Sequence, residues 1–310
     1  MGFVPVGAHA DIHGERDVEG KGMFHAVLHE RGDFVGLARR GLEQQFVVDG
    51  EDHAAAAALA AEGQKPAKDV AYSFEGPFGH FDRGQLQRGY KVYKEVCSGC
   101  HAMKFVAFRN LAEEGGPGFS EEQVKALAAS FTMPDGPNAD GEMFERPGLP
   151  SDRFPSPFPN EQAARSANNG AVPPDLSLIT KARAGWYGTF NQLVNGIGGP
   201  EYVYSVLTGY EEPSEELKKE QPEGAYYNPY FAASHWIAMG PPLSDGQVTF
   251  DDGAPNTAAD MARDVSAFLA WTAEPKMEER KSLGFMSMIY MAALALLLYL
   301  VKKKVWADQH

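Results

Sequence analysis

A mainly α body with long irregular loops, followed by one C-terminal transmembrane helix, is the fold class this sequence predicts. Three observations carry that prediction. Apolar residues recur at helical spacing in two stretches far apart in the chain, Leu86 to Cys97 and Met261 to Leu269. Thirty-three glycines and 21 prolines among 310 residues require long loops over a modest helical framework. Residues 283–301 run for 19 positions without a charge.

Composition narrows the function before any motif is read. With 44% apolar and 23% charged residues the chain is an ordinary globular protein by content. Its formal charge of −14 excludes nucleic acid as a partner, because phosphate binding needs clustered Lys and Arg. The same charge favours a basic partner, or serves only solubility. Two cysteines allow one disulfide at most, so this is no disulfide-stapled module.

Taken in order, residues 1–66 form an atypical N-terminal extension. It holds five of the nine histidines and no sustained apolar period. Ala58-Leu59-Ala60 has the small-x-small form of a signal-peptidase site, yet no apolar stretch precedes it. The expectation is an extension removed before the mature protein, which would start near Glu62; a short helix or linker is the alternative.

Residues 67–275 are the folded body. Asp82 is placed to cap a helix through RGQLQRGYKVYKEVC, with Leu86, Tyr90, Tyr93 and Cys97 at i, i+4, i+7 and i+11 on one stripe. A shorter helix is expected at 120–131. Residues 133–160 are so dense in Pro, Gly and Asp that they are expected to be irregular, and 211–223 to be a charged, exposed loop. The last helix of the body is capped by Asn256 or Thr257, buries Met261, Val265, Phe268 and Leu269, and closes at Pro275.

A polar hinge at 276–282 leads to the anchor at 283–301, about 28 Å long as a helix and a near match to a bilayer core. The tail, 302–310, carries Lys302, Lys303 and Lys304 and the interfacial Trp306. The positive-inside rule puts this tail in the cytoplasm and the body across the membrane, in the periplasm or its equivalent.

The chemistry lies in VCSGCHAM, residues 96–103. Cys97, Cys100 and His101 suit four uses on first sight. A zinc site needs four ligands, usually two such pairs, and there is one. A redox dithiol opens the helix of a βαβ unit, whereas these cysteines close an amphipathic helix. A disulfide across two residues is strained and has no use for His101. Covalent attachment of haem c uses all three residues: the thiols add to the vinyl groups and the imidazole takes the iron.

The other face of the iron needs a ligand from far along the chain, or stays open for small molecules. Met103 is too close to His101 to reach round the ring, and Met133 and Met143 lie in the stretch expected to be irregular. Met239, in SHWIAMGPPL, stands before prolines that stiffen an extended loop. Its rivals are His235, the more distant His80, and an open site. Attachment helix, late methionine loop and closing helix follow the layout of a mono-haem c-type cytochrome domain.

With those residues in hand, the chain resembles the cytochrome c1 family, the haem subunits of quinol–cytochrome c reductase (the bc1 complex). The marks are FEGPFGHFDRGQLQRGYKVYKEVCSGCHAMKFVAFRNL, PPDLSLITKARAG, GGPEYVYSVLTGYEEP, YYNPYF, WIAMGPPL and DVSAFLAWTAEPKMEERKSLGF, in the family's order. The segment WYGTFNQLVNGI before GGPEYVY is similar to the bacterial form. The resemblance implies one haem c on Cys97 and Cys100, with His101 and Met239 as axial ligands. It implies Arg183 and Tyr202 near the haem propionates. Gly240 stands where many relatives have Pro or Ala, and residues 1–66 match nothing in the family.

The implied role is an electron carrier of a respiratory or photosynthetic chain. It would receive electrons from the Rieske iron–sulfur subunit, beside cytochrome b, and pass them to a soluble or membrane-tethered c-type cytochrome. No bond is made or broken in this chain, so it is no enzyme alone but a subunit of one. The alternatives are a haem c subunit of a haem–copper oxidase and an open-site haem enzyme or sensor.

Overall fold

The structure is a computed structural model that describes residues 64–185, 189–232 and 234–307. The extension expected at 1–66 therefore lies outside the described residues except for its last three positions, as do the cleavage motif at 58–60 and the last three residues of the tail.

Helix α1 (Arg83–Glu95) starts where its cap residue stands: the Asp82 carboxylate accepts the Gln85 N–H at 2.7 Å. Leu86, Tyr90 and Tyr93 are buried along the stripe, and Cys97 is half-buried against the same core. Removing the cap, Asp82→Ala, is expected to cost about 1 kcal/mol in thermal or denaturant unfolding. Helix α2 (Glu121–Ala129) opens with a reciprocal box, Ser120 accepting from Gln123 N–H and the Gln123 side chain accepting from Ser120 N–H.

The stretch 133–160 is not wholly irregular, contrary to expectation. Strands β1 (Thr132–Asp135) and β2 (Phe144–Pro147) form an antiparallel pair in register from Thr132 opposite Pro147 to Asp135 opposite Phe144. A two-stranded ladder has only edge strands, where proline is tolerated, so Pro134 and Pro147 do not prevent it. Arg146 fastens the hairpin by bonding Asp135 and, at 2.6 Å, Asp152.

Four short helices follow in the middle of the chain: α3 (Glu161–Ala167), α4 (Ile179–Ala182), α5 (Thr189–Asn195) and α6 (Gly199–Thr208). Strands β3 (Tyr226–Tyr227) and β4 (Trp236–Ile237) make a second small antiparallel pair. Helix α7 (Ala258–Ala273) is capped by Thr257, which accepts the Asp260 N–H at 3.2 Å. Met261, Val265, Phe268 and Leu269 are buried as the periodicity predicts. So are Ala262, Ala270 and Trp271, because α7 is flanked by α1 as well as by α4 and α6.

The core gathers at the α1–α7 crossing, where Gly89 lies directly against the α7 backbone. Buried Asp264 of α7 accepts from Arg88 Nε at 2.7 Å and from Gln85 Nε2 at 3.1 Å, pinning the two helices in one register. Phe154 brings the loop layer into this core, 4.5 Å from the Phe108 ring centroid and 6.2 Å from those of Tyr90 and Tyr93. Contacts of this kind exceed their area burial in value.

The last helix, α8 (Met277–Val305), is 29 residues long, its apolar stretch wholly exposed, and among the described residues it is the helix long and apolar enough to cross a membrane. It begins earlier than the expected anchor, so 277–282 are its first turns rather than a hinge. Helix-forming residues and two ties to the body explain this. Glu278 accepts the Phe81 N–H at 2.7 Å, and Lys281 Nζ donates to the carbonyls of Phe74 at 2.6 Å and Gly79 at 3.1 Å. Buried Met277 completes the joint.

Candidate functional site

Helix α1 ends at Glu95, directly before the motif, with Val96 as its C-cap. Cys97–Gly99 tighten into a 3-10 turn, and the Cys97 carbonyl accepts the N–H groups of Cys100 at 3.1 Å and His101 at 2.9 Å. That double acceptance holds both thiols and the imidazole on a single turn. Both thiols are free; Cys97 is half-buried and Cys100 exposed. Burial, then the neighbouring Cys100, pushes the Cys97 thiol up to about 12. A redox dithiol needs the opposite shift, so this geometry argues against that use. No group of three or more His, Cys, Asp or Glu side chains gathers as a metal site among the described residues.

His101 is oriented by a partner the sequence did not reveal. Its Nδ1 lies 2.8 Å from the Pro174 carbonyl oxygen. A carbonyl only accepts, so Nδ1 carries the proton and Nε2 keeps the lone pair a metal needs. Burial holds the imidazole below its ordinary pKa, opposed by the Pro174 carbonyl and Asp175, which keeps it neutral at pH 7. The donor set thus fits a covalently held haem: two free thiols and a neutral nitrogen on one turn.

The segment 173–177 is clamped on the motif along its length. Leu176 N–H donates to the Ala102 carbonyl at 2.9 Å, Asp175 accepts from Lys104 N–H at 2.9 Å, and Ser177 Oγ accepts from Phe105 N–H at 3.1 Å. Tyr93 of α1 donates to the His101 carbonyl at 3.2 Å from the other side. Replacing Asp175 with Ala removes two acceptor contacts, to Lys104 and Ser177. The expected result is a loss of about 1–2 kcal/mol in unfolding with the haem spectrum unchanged.

Met239 sits half-buried on the loop after β4. Its carbonyl accepts from the Tyr210 hydroxyl at 2.9 Å, and the β3–β4 pair fixes the residues before it. Gly240 has a structural reason: a Cβ there would stand 3.1 Å from Tyr226 Cζ. The other candidates separate by position. Met103 is fully buried in the core, Met143 is exposed on the hairpin, and Met133 is half-buried in β1. His80 stands exposed on the loop tied to the start of α8. His235 adopts a left-handed φ of 62° with its Nε2 buried and unpartnered. Arg183 and Tyr202 come together, the guanidinium 5.8 Å over the tyrosine ring.

A neutral imidazole and two free thiols at the foot of a helix, in a body joined to a membrane-length helix, define a membrane-anchored c-type cytochrome. Comparison with known proteins narrows that class. The Cytochrome C1 family model matches residues 72–309, and the chain belongs to the cytochrome c1 family. It is 56% identical to the cytochrome b/c1 of Bradyrhizobium diazoefficiens over 262 residues, which are 82% of this chain and 37% of that protein. It is 47% identical to the cytochrome c1 of Cereibacter sphaeroides over 81% of this chain and 90% of the relative. With the cytochrome c1 of Rhodospirillum rubrum it shares 44% identity over 81% of this chain and 92% of the relative. Members of the family bind one covalently attached haem c and serve as the electron-carrying haem subunit of the bc1 complex.

Proposed function

We propose that Cys97 and Cys100 hold the haem by thioether bonds, that His101 Nε2 and the Met239 sulfur take the two axial positions, and that the chain carries single electrons within a bc1 complex. The observation that carries this reading is the Nδ1 tie of His101 to Pro174, which leaves Nε2 as ligand on the same turn as both thiols. Haem c, when bound, supplies a one-electron iron couple.

The residues around it position and shield. Pro174 and Tyr93 fix the His101 segment from two sides, and Tyr210 with Tyr226 fixes the methionine loop. Thioether ligation and burial both raise the potential, which suits a carrier late in a chain. Arg183 and Tyr202 stand ready as donors to the propionates, a guanidinium fork suiting a carboxylate. The Rieske iron–sulfur subunit is the electron donor, cytochrome b the membrane neighbour, and a soluble or tethered c-type cytochrome the acceptor. The exposed acidic segment 211–223 offers that acceptor a salt-sensitive encounter surface, although Lys218 already pairs with Glu215 within it. Lys302–Lys304 keep the tail cytoplasmic and the haem body periplasmic.

Mild-detergent purification of the tagged chain tests the assignment. Cytochrome b and an iron–sulfur protein are expected to accompany it; their absence, or a copper-containing oxidase in their place, refutes it.

A further inference from the structure

A cavity of about 190 Å³ lies where the 74–81 loop meets α4, α6 and the first turns of α8. Its lining is mainly apolar but carries charges of both signs. Its wall carries the acids Glu75, Glu201 and Glu274 and the cations Lys181, Arg280 and Lys281. At roughly 30 Å³ per water this is room for a small polar headgroup rather than for a side chain alone.

The position of the cavity says what surrounds it. Arg280 precedes the uncharged span that starts at Leu283 by three residues, less than one helical turn. Phe78, at the tip of the loop that walls the cavity, is 73% exposed and meets Phe285 of the span edge-on at 5.5 Å. The cavity therefore lies at the level where the helix enters the headgroup layer, with an aromatic side chain beside it.

The polar groups call for both signs of charge. Glu201 Oε2 is buried and accepts no hydrogen bond. Glu75 Oε1 accepts the Tyr72 N–H at 3.1 Å, and the Glu75 carboxyl faces that of Glu201, so the two can share one proton and still carry a net negative charge. Burial together with Glu75 pushes the Glu201 carboxyl up to about 7, a cost that a cationic donor relieves. Among the cations, Arg280 bonds Glu274 through Nε alone, leaving its two terminal nitrogens for an anion, and Lys181 Nζ stands 3.7 Å from Glu274. A wall with a buried acid pair, one of whose oxygens lacks a donor, and with free guanidinium N–H groups fits a zwitterion whose cation carries N–H groups.

We infer that this cavity binds the headgroup of an ethanolamine phospholipid, its ammonium donating to Glu201 and Glu75 and its phosphate accepting from Arg280 and Lys181. A choline headgroup has no N–H to give and leaves Glu201 Oε2 unmet. The inference rests on the membrane-anchor reading, which liposome flotation of the full haem-loaded chain tests separately.

The test itself is native mass spectrometry of the full haem-loaded chain in detergent, titrated with phosphatidylethanolamine or phosphatidylcholine of matched acyl chains. The ethanolamine lipid is expected to be retained about tenfold more tightly, the fold-change of one charge-assisted hydrogen bond. Glu201→Gln with Glu75→Gln should abolish the preference, and Arg280→Gln should weaken both lipids. An unchanged Soret band and circular dichroism spectrum show that the variants fold; Glu201→Asp serves in their place if they do not. Equal retention of the two lipids by the native chain overturns the inference. So does a preference that survives the double variant, or a carbodiimide cross-link from Glu201 to a lysine of another subunit in the intact complex. A chain that floats with liposomes yet shows no preference refutes the site and spares the anchor, whereas failure to float refutes the anchor.

Discussion

Met239→Leu is expected to convert the haem from low-spin to high-spin, abolish the methionine–iron charge-transfer band near the red end of the spectrum, and lower the potential. The leucine side chain has nearly the volume of methionine but no lone pair, so the substitution removes the ligand and little else. Repacking costs below about 1.5 kcal/mol at a volume-conserving site. The loop keeps its shape, because Tyr210 bonds the residue-239 carbonyl rather than the side chain. Axial ligands span roughly 0.8 V in haem potentials, so a fall on the order of 0.1 V or more is expected in a potentiometric titration. His235 makes the experiment discriminating. Its buried, unpartnered Nε2 sits four residues from Met239, and an unchanged spectrum in Met239→Leu with a changed one in His235→Leu would reverse the assignment. If the native chain binds carbon monoxide without denaturation, the site is open and neither residue is the ligand.

Much of this was legible in the sequence, for definite reasons. Helices α1 and α7 announce themselves through caps and apolar stripes, because a surface helix must repeat its buried side every three to four residues. The motif VCSGCHAM states its chemistry through spacing alone. What escaped is what depends on distant backbone. Pro174 acts through its carbonyl, and any residue has one; only the fold brings it within 2.8 Å of His101. Tyr210 likewise bonds a main-chain oxygen 29 positions away. The hairpin at 132–147 escaped because its strands are four residues long and rich in proline, below the length at which alternation can be read. The supposed hinge failed for another reason: polarity marked the residues as exposed, whereas Glu278 and Lys281 spend their charge on the backbone of the 74–81 loop.

Gly89→Ala is expected to destabilise the protein by about 2 kcal/mol or more, against the usual sign for this substitution. In a helix interior alanine is favoured over glycine by roughly 0.5–1 kcal/mol, since it restricts the unfolded chain more. At Gly89 a Cβ would meet the Asp264 carbonyl oxygen at 2.1 Å and Phe268 Cβ at 2.7 Å. The first of these is α7 backbone, which cannot turn aside as a side-chain tip does. Helices α1 and α7 must separate, and the cost falls on the whole crossing, including the bonds of Gln85 and Arg88 to Asp264. Gly84, earlier in the same helix, is the control. Its Cβ would meet only the Asp82 carboxylate at 3.3 Å and an Arg88 nitrogen at 3.4 Å, side-chain atoms that need give by only a few tenths of an ångström, and no backbone. Gly84→Ala is therefore expected to leave the melting temperature unchanged or slightly raised. Gly89→Ala should lower it by about 4–8 °C, at roughly 2–4 °C per kcal/mol for a body of this size. Because α1 leads directly into Cys97, the same variant is expected to incorporate less haem, while the fraction that folds keeps a six-coordinate spectrum. Equal effects at the two glycines would show that helix propensity, not the crossing, governs this part of the chain.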